Sequence, residues 1–324
     1  MNQSILYLLA GVVACAFTAA ALPWWRRWCL RTGAMDDPGH RKIHALPVPL
    51  AGGPAVMTGL LGALIGGTVF AFIQSSTGTM ALFQYGLGRR SVELLGISAG
   101  AFIVLLVGLR DDKVDLRPIP KFGGQLLAAL IVAATGARIT LFVHSAIFSY
   151  CITALWILTV INAFNFMDNM NGLCAGLGAV GAAWFGLIGA QSGQYLVATM
   201  AFLIVGALLG FLPFNFPKAT AFLGDSGSHL VGYLLAILGI LPHFYTPKHP
   251  HELAVLTPLL ILAVPLVDLA WVVIIRWRKG QPFYIGDTNH LSHRLTRRGL
   301  SSTQAVLIIW LLAAIFGGLA YLWQ

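Results

Sequence analysis

Long apolar runs separated by short polar connections dominate this chain. A membrane-spanning helix needs about 20 mostly apolar residues. Ten segments show that pattern, approximately 4–23, 52–73, 92–109, 122–136, 147–165, 172–190, 194–212, 228–243, 252–275 and 303–323. No internal repeat and no polar linker divides them. The pattern therefore predicts an all-α integral membrane protein of about ten transmembrane helices, with 1–324 as a single polytopic domain. In the first run, Ile5 to Leu22, the basic residues Arg26, Arg27 and Arg31 follow the apolar stretch instead of preceding it. A cleaved leader has the opposite order, so this run is expected to stay as the first helix.

Composition sharpens the picture. Of 324 residues, 58% are hydrophobic and only 10% charged, against about 25% charged in soluble domains. Too few polar side chains exist to cover a soluble fold, so the lipid bilayer is the expected surroundings and no nucleic-acid partner is expected. If the ten segments alternate direction, 16 of the 20 Lys and Arg fall in one set of loops. That set is the cytoplasmic one by the positive-inside rule. All nine aspartates, 36, 37, 111, 112, 115, 168, 225, 268 and 287, fall on or near the same face, and Glu93 and Glu252 on the other. Carboxylates gathered with cations point to a cytoplasmic site that handles both signs of charge. The cysteines, Cys15, Cys29, Cys151 and Cys174, show no metal-ligand spacing and read as small packing residues.

Five cytoplasmic connections carry the candidate chemistry. "DDPGHRKIHALPVPLAGG" (36–53) is a turn-rich loop in which Arg41, Lys42 and His44 offer phosphate-binding cations, or a positive-inside anchor. "GLRDDKVDLRPIPKFGGQ" (108–125) sets Asp111 beside Asp112 at a helix exit, with Asp115 and Lys121 following. Adjacent carboxylates repel one another unless a cation lies near, and oxygen ligands favour Mg²⁺ or Mn²⁺ over zinc. "INAFNFMDNMNGLCAGL" (161–177) repeats Asn162, Asn165 and Asp168 at steps of three, on one face of a helix end. They suit a metal, a ribose or a sugar, or else bonds between helices. "FNFPKATAFLGDSGSHLVG" (214–232) places Asp225 between Gly224 and Gly227 at a helix start, which attracts phosphate or needs a capping residue. "RWRKGQPFYIGDTNHLSHRLTRRG" (276–299) brings His290, His293 and Arg294 together, suited to a pyrophosphate or, as a pair of imidazoles, to zinc. Together these describe metal-assisted phosphoryl transfer to a substrate in the membrane. In "AVPLVDLAWVV", Pro265 predicts a bent helix, suited to a lateral opening for a long lipid or else a plain kink with Asp268 near the interface paired with a neighbouring arginine.

The motifs "RKIH…PVPLAGG", "GLRDDK", "NAFNFMD", "FLGDSGS", "PLVD" and "HLSHRL", in this order from Asp37 to Gly299, resemble those of the polyprenyl-phosphate N-acetylhexosamine-1-phosphate transferases. That resemblance implies a ten- or eleven-helix membrane enzyme in the bacterial inner membrane with a cytoplasmic cleft. It implies transfer of a sugar-1-phosphate, N-acetylglucosamine-1-phosphate in the first instance, from a UDP-N-acetylhexosamine to undecaprenyl phosphate, releasing UMP. Mg²⁺ is the implied cofactor, with Mn²⁺ as an alternative, and a homodimer is left open. Motif by motif, it makes Asp111, Asp112 and Asp168 catalytic candidates, with Asp111 activating the lipid phosphate. It makes Asp225, with Asp112, the metal ligands, and His290 and His293 holders of the nucleotide's phosphates. Lys42, His44, Lys121, Asn162, Asn165 and Arg294 complete the expected substrate contacts. Three departures stand out: Asn171 where the family often has Asp, Leu50 where an arginine is usual, and Ser292 in place of an imidazole. The "HRL" ending favours the teichoic-acid and O-antigen branch over the lipid I branch. A transporter and a lipid pyrophosphatase are the competing readings. A transporter needs polar groups through the membrane depth, whereas here the helix middles are apolar.

Overall fold

A computed structural model describes residues 3–36, 47–73, 85–86, 88–242, 244, 252–282, 284 and 288–323. The chain runs through α1 (Gln3–Thr32), a two-residue antiparallel pair β1 (Met35–Asp36) and β2 (Val48–Pro49), α2 (Gly52–Ile73), α3 (Ser91–Val114), α4 (Pro118–Ala134) and α5 (Ala146–Met167). It continues through α6 (Leu173–Gln191), α7 (Tyr195–Phe211), α8 (Gly224–Ile240), α9 (Thr257–Ile261), α10 (Ala263–Arg278), α11 (Leu291–Arg297) and α12 (Ser302–Leu322). Among the described residues seven helices, α1, α2, α3, α5, α6, α7 and α12, are long and apolar enough to cross a membrane. The bent pair of α9 and α10 makes an eighth if it is one broken span. The other two apolar segments fall on α4 and α8, which at 17 residues each sit at the short limit for a span.

Helices continue past the apolar runs that announce them. The third run stops at residue 109, yet α3 keeps its backbone hydrogen bonds through Arg110–Lys113 to a left-handed Asp115. Likewise α4 starts at Pro118 and α8 at Gly224, each about a turn before its apolar run. Hydropathy marks where lipid begins, whereas the i→i−4 ladder ends only where the backbone turns. As a result Asp111, Asp112, Lys121 and Asp225 all sit on helical end turns, which hold them more firmly than loops would.

The bend predicted from Pro265 falls one turn earlier, at Leu262, where α9 and α10 meet at 71°. Proline has no N–H for the Ile261 carbonyl and its ring crowds that group, so the helix breaks before the proline and not at it.

α8 is the centre of the bundle, buried nearly throughout and packed between α3 and α5. Gly108 makes this possible, because a Cβ there would stand 2.4 Å from the Ser226 Cα. The strand-like segment before α2 is stitched to the one before α8. Phe222 N–H donates to the Pro49 carbonyl at 2.9 Å, and Gly52 and Gly53 N–H donate to Phe222 and Leu223 at 2.9 and 3.1 Å. The starts of α2 and α8 thus share one end of the bundle with the C-terminal ends of α3 and α5. All four cysteines are free thiols.

Candidate active site

The adjacent aspartates at the end of α3 point to different work. Asp112 grips the start of α8: its two carboxylate oxygens accept the Asp225 and Ser226 N–H groups at 2.6 and 3.1 Å. An acid at a helix N-terminus is favoured by the free N–H groups and by the dipole. Gly224 belongs to this grip, since its φ is +72° and a Cβ would lie 2.8 Å from the Asp112 carboxylate. The helix start that the sequence offers to phosphate is therefore already filled by a carboxylate from α3.

Asp111 turns into the bundle instead. It is buried, and one carboxylate oxygen accepts the Leu116 N–H at 2.7 Å, which pins the turn into α4. Its other oxygen lies 2.6 Å from the Lys121 Nζ, and Lys121 also reaches Asp225 at 3.6 Å. Asn165 at the end of α5 completes the group. Its amide donates to the Asp225 carboxylate and, at 3.0 Å, to Ser228 Oγ, while its carbonyl faces Lys121 at 3.5 Å.

One further residue enters here that the sequence reading does not name. His229, one turn after Asp225 on α8, is fully buried, and among the described residues neither ring nitrogen has a hydrogen-bond partner. One ring nitrogen and one carboxylate oxygen each from Asp111 and Asp225 all lie within 4.8 Å of one another. Two carboxylates and an imidazole fit a divalent cation by chemistry and by reach. The i,i+4 spacing of Asp225 and His229 was the available signal, since it puts both on one helix face.

Asp168, at the C-terminal cap of α5, is half-buried with no ion pair of its own among the described residues. Burial first, then the charges of Asp225 and Asp112, holds its carboxyl well above the usual carboxylate range. It is not among the three groups close enough to share an ion. Asn162 is turned away: its amide donates to Gln125 and to the Leu158 carbonyl, both at 2.8 Å. It therefore ties α5 to α4, the bond-between-helices option, worth about 0.6 kcal/mol in a membrane bundle.

A second polar cluster lies against the other side of the α5 end. Asp268 accepts the His290 ring N–H and the Leu291 backbone N–H, both at 2.7 Å. Asp268 lies a turn inside α10 facing the start of α11, which brings the His290 ring to it. Phe166, next to Asn165, meets His290 edge to face at 5.9 Å and carries the Arg276 guanidinium at 4.8 Å. Ser292 donates to Asn169 at 2.6 Å, so the replaced imidazole became a tie between α11 and the end of α5. Asn171, the other departure, donates to the Pro217 carbonyl at 3.2 Å. The rings of His290 and His293 stand 6.4 Å apart, and Arg294 lies over Trp271 at 4.9 Å. Lys42 and His44 lie outside the described residues.

An open apolar groove of about 510 Å³ runs along α4. Pro118, Ile119, Phe122, Leu126, Leu158 and Tyr284 line it. Lys121 belongs to the same helix, α4, with its ammonium turned to Asp111 and Asp225.

Comparison with other proteins identifies the family. Residues 94–243 match glycosyl transferase family 4, a stretch that runs from α3 through α8. The chain is 33% identical over 333 residues (95% of this chain, 80% of that protein) to the decaprenyl-phosphate N-acetylglucosaminephosphotransferase of Mycobacterium tuberculosis. It is 29% identical over 323 residues (97% and 84%) to a probable undecaprenyl-phosphate N-acetylglucosaminyl 1-phosphate transferase of Bacillus subtilis. With the undecaprenyl-phosphate alpha-N-acetylglucosaminyl 1-phosphate transferase of Escherichia coli K12 it shares 28% identity over 326 residues (94% and 81%). The acid-bearing helix ends and these full-length likenesses lead to one conclusion: this chain belongs to glycosyl transferase family 4, among the polyprenyl-phosphate N-acetylhexosamine-1-phosphate transferases.

Proposed function

We propose that this protein transfers N-acetylglucosamine-1-phosphate from UDP-N-acetylglucosamine to undecaprenyl phosphate and releases UMP. The reaction is the first membrane step of an envelope polysaccharide. It takes place on the cytoplasmic side of the bacterial inner membrane, in one polytopic domain of about ten spans. The observation that carries this reading is the Asp111–Lys121–Asp225–Asn165 cluster at the helix ends; an apolar groove along α4, the helix that bears Lys121, supports it. A prenyl chain needs the groove, and its phosphate needs the cation.

The residues divide the work by position. Lys121, between two carboxylates, meets the phosphate of the lipid and offsets charge that grows during transfer. Asp111 holds the Lys121 ammonium in place for that phosphate. His290 is oriented by its Nδ1–H on Asp268, and with both ring nitrogens protonated its Nε2–H donates to the nucleotide's phosphates. The Arg294 guanidinium is supported on Trp271, and its N–H edge serves the same phosphates. Asn165 fixes Asp225, and Asp112 fixes the turn of α8 that bears it. A divalent ion on Asp225 and Asp111, Mg²⁺ or Mn²⁺, supplies Lewis-acid neutralisation of the diphosphate when bound.

The test is UMP release from UDP-N-acetylglucosamine by purified protein, with and without undecaprenyl phosphate. Lipid-dependent UMP supports the reading. Release of inorganic phosphate alone, or uptake of a solute without UMP, overturns it. A panel of UDP-sugars in the same assay names the donor and separates it from the lipid I donor.

A further inference from the structure

We infer that His229 is a nitrogen ligand of the divalent ion, making the acidic cluster a mixed nitrogen and oxygen centre that prefers Mn²⁺ to Mg²⁺. The inference rests on the transferase reading and deepens it. His229 is 0% exposed and neither ring nitrogen has a partner among the described residues. A buried polar group without a partner is costly, so native structures rarely leave one. One direction offers it a use: its nitrogen lies within 4.8 Å of carboxylate oxygens on Asp111 and Asp225. Ligand atoms about 2.1 Å from one octahedral ion stand about 3 Å apart when adjacent and about 4.2 Å when opposite. A small inward movement of three side chains is enough to reach those separations.

The surroundings of the three donors are arranged for this. Leu116 N–H holds one Asp111 oxygen, Asn165 holds one Asp225 oxygen, and Asp112 anchors the α8 start. Such outer partners orient ligands toward a metal. Lys121 meanwhile lies against both acids and supplies the positive charge when no ion is bound. The imidazole is what sets the choice of ion. Mg²⁺ demands oxygen and keeps its waters, whereas imidazole suits transition ions.

The experiment uses full-length protein in lipid nanodiscs loaded with Mn²⁺ and read by pulsed electron paramagnetic resonance. The wild type is expected to show ¹⁴N modulation from a bound imidazole, converting to a ¹⁵N pattern when histidine is ¹⁵N-labelled. His229→Leu and His229→Gln are expected to lose it. Their preference for Mn²⁺ over Mg²⁺, measured by competition, should fall about tenfold or more. Bound Mn²⁺ without nitrogen modulation in the wild type overturns the inference, as does modulation that survives in His229→Gln. The wild-type measurement needs no variant to fold. Lipid-dependent UMP release alongside a nitrogen-free Mn²⁺ spectrum sinks the ligand assignment alone. A nitrogen signal without UMP release leaves the ligand standing and sinks the transferase reading.

Discussion

Two polar clusters flank the end of α5, and they are built on opposite plans. On one side Asp111, Asp225 and His229 converge with their donors crowded together, one lysine among them, and two ring nitrogens left over. On the other, Asp268, His290, Asn169 and Ser292 are joined by short hydrogen bonds. The first cluster brings like charges together inside a bundle, which is favourable only when a cation is present. The second holds its groups in fixed orientation at little electrostatic cost. The difference teaches that one side is arranged to receive charge and the other to aim a ring. The neighbours Asp111 and Asp112 show the same division within two residues: one enters the cluster, the other caps a helix.

The largest effect is expected from Asp225→Asn or Asp111→Asn. Each should lower UMP release about 10²–10³-fold, the scale of losing one charge-stabilising group. Near-wild-type turnover in both variants would erase the contrast between the clusters. Lys121→Met comes next, with turnover down about 10²-fold. In EDTA it should also unfold at lower temperature than the wild type, because two carboxylates lose their cation, and added Mn²⁺ should close part of that gap. Asp268→Asn tests the other side. Turnover should fall about 10- to 100-fold through misorientation of His290, with Mn²⁺ affinity unchanged. A parallel loss of Mn²⁺ would merge the two clusters into one.

Asp112→Ala should destabilise the protein by about 1 kcal/mol, the usual value of an N-cap, and Asp112→Asn should recover most of it, as read by chemical unfolding in micelles. No such rescue is expected for Asp111→Asn, whose role needs charge. The smallest effect concerns Asp168, and its sign follows from its raised carboxyl pKa. In the unfolded chain it ionises at an ordinary carboxylate pKa, while the folded protein holds the proton to higher pH. Its contribution to stability therefore falls as pH rises from the ordinary carboxylate range through the folded value. Asp168→Asn should raise the melting temperature in EDTA at pH 7.5 and leave it nearly unchanged at pH 3.5.

Hydropathy was enough for the all-α membrane class, and among the described residues seven helices, or eight with the bent pair, are long and apolar enough to span. The reason is physical: lipid demands long apolar runs, so their positions are written locally and survive without tertiary information. Order and spacing of the motifs were enough for the family as well. Three things were decided only by packing. Asn162 and Asn165 share a face by sequence, yet one turns to Gln125 and the other to Asp225, because α5 lies between α4 and α8. Asp268 meets His290 only because α10, past the break at Leu262, faces the start of α11. His229 sits within an apolar stretch and gave no charge signal. Its meaning came from Gly108, which lets α3 come close enough to set Asp111 beside it. Which side chains meet across helices depends on approach distances and rotations that no single segment encodes, and in this protein those contacts are where the chemistry resides.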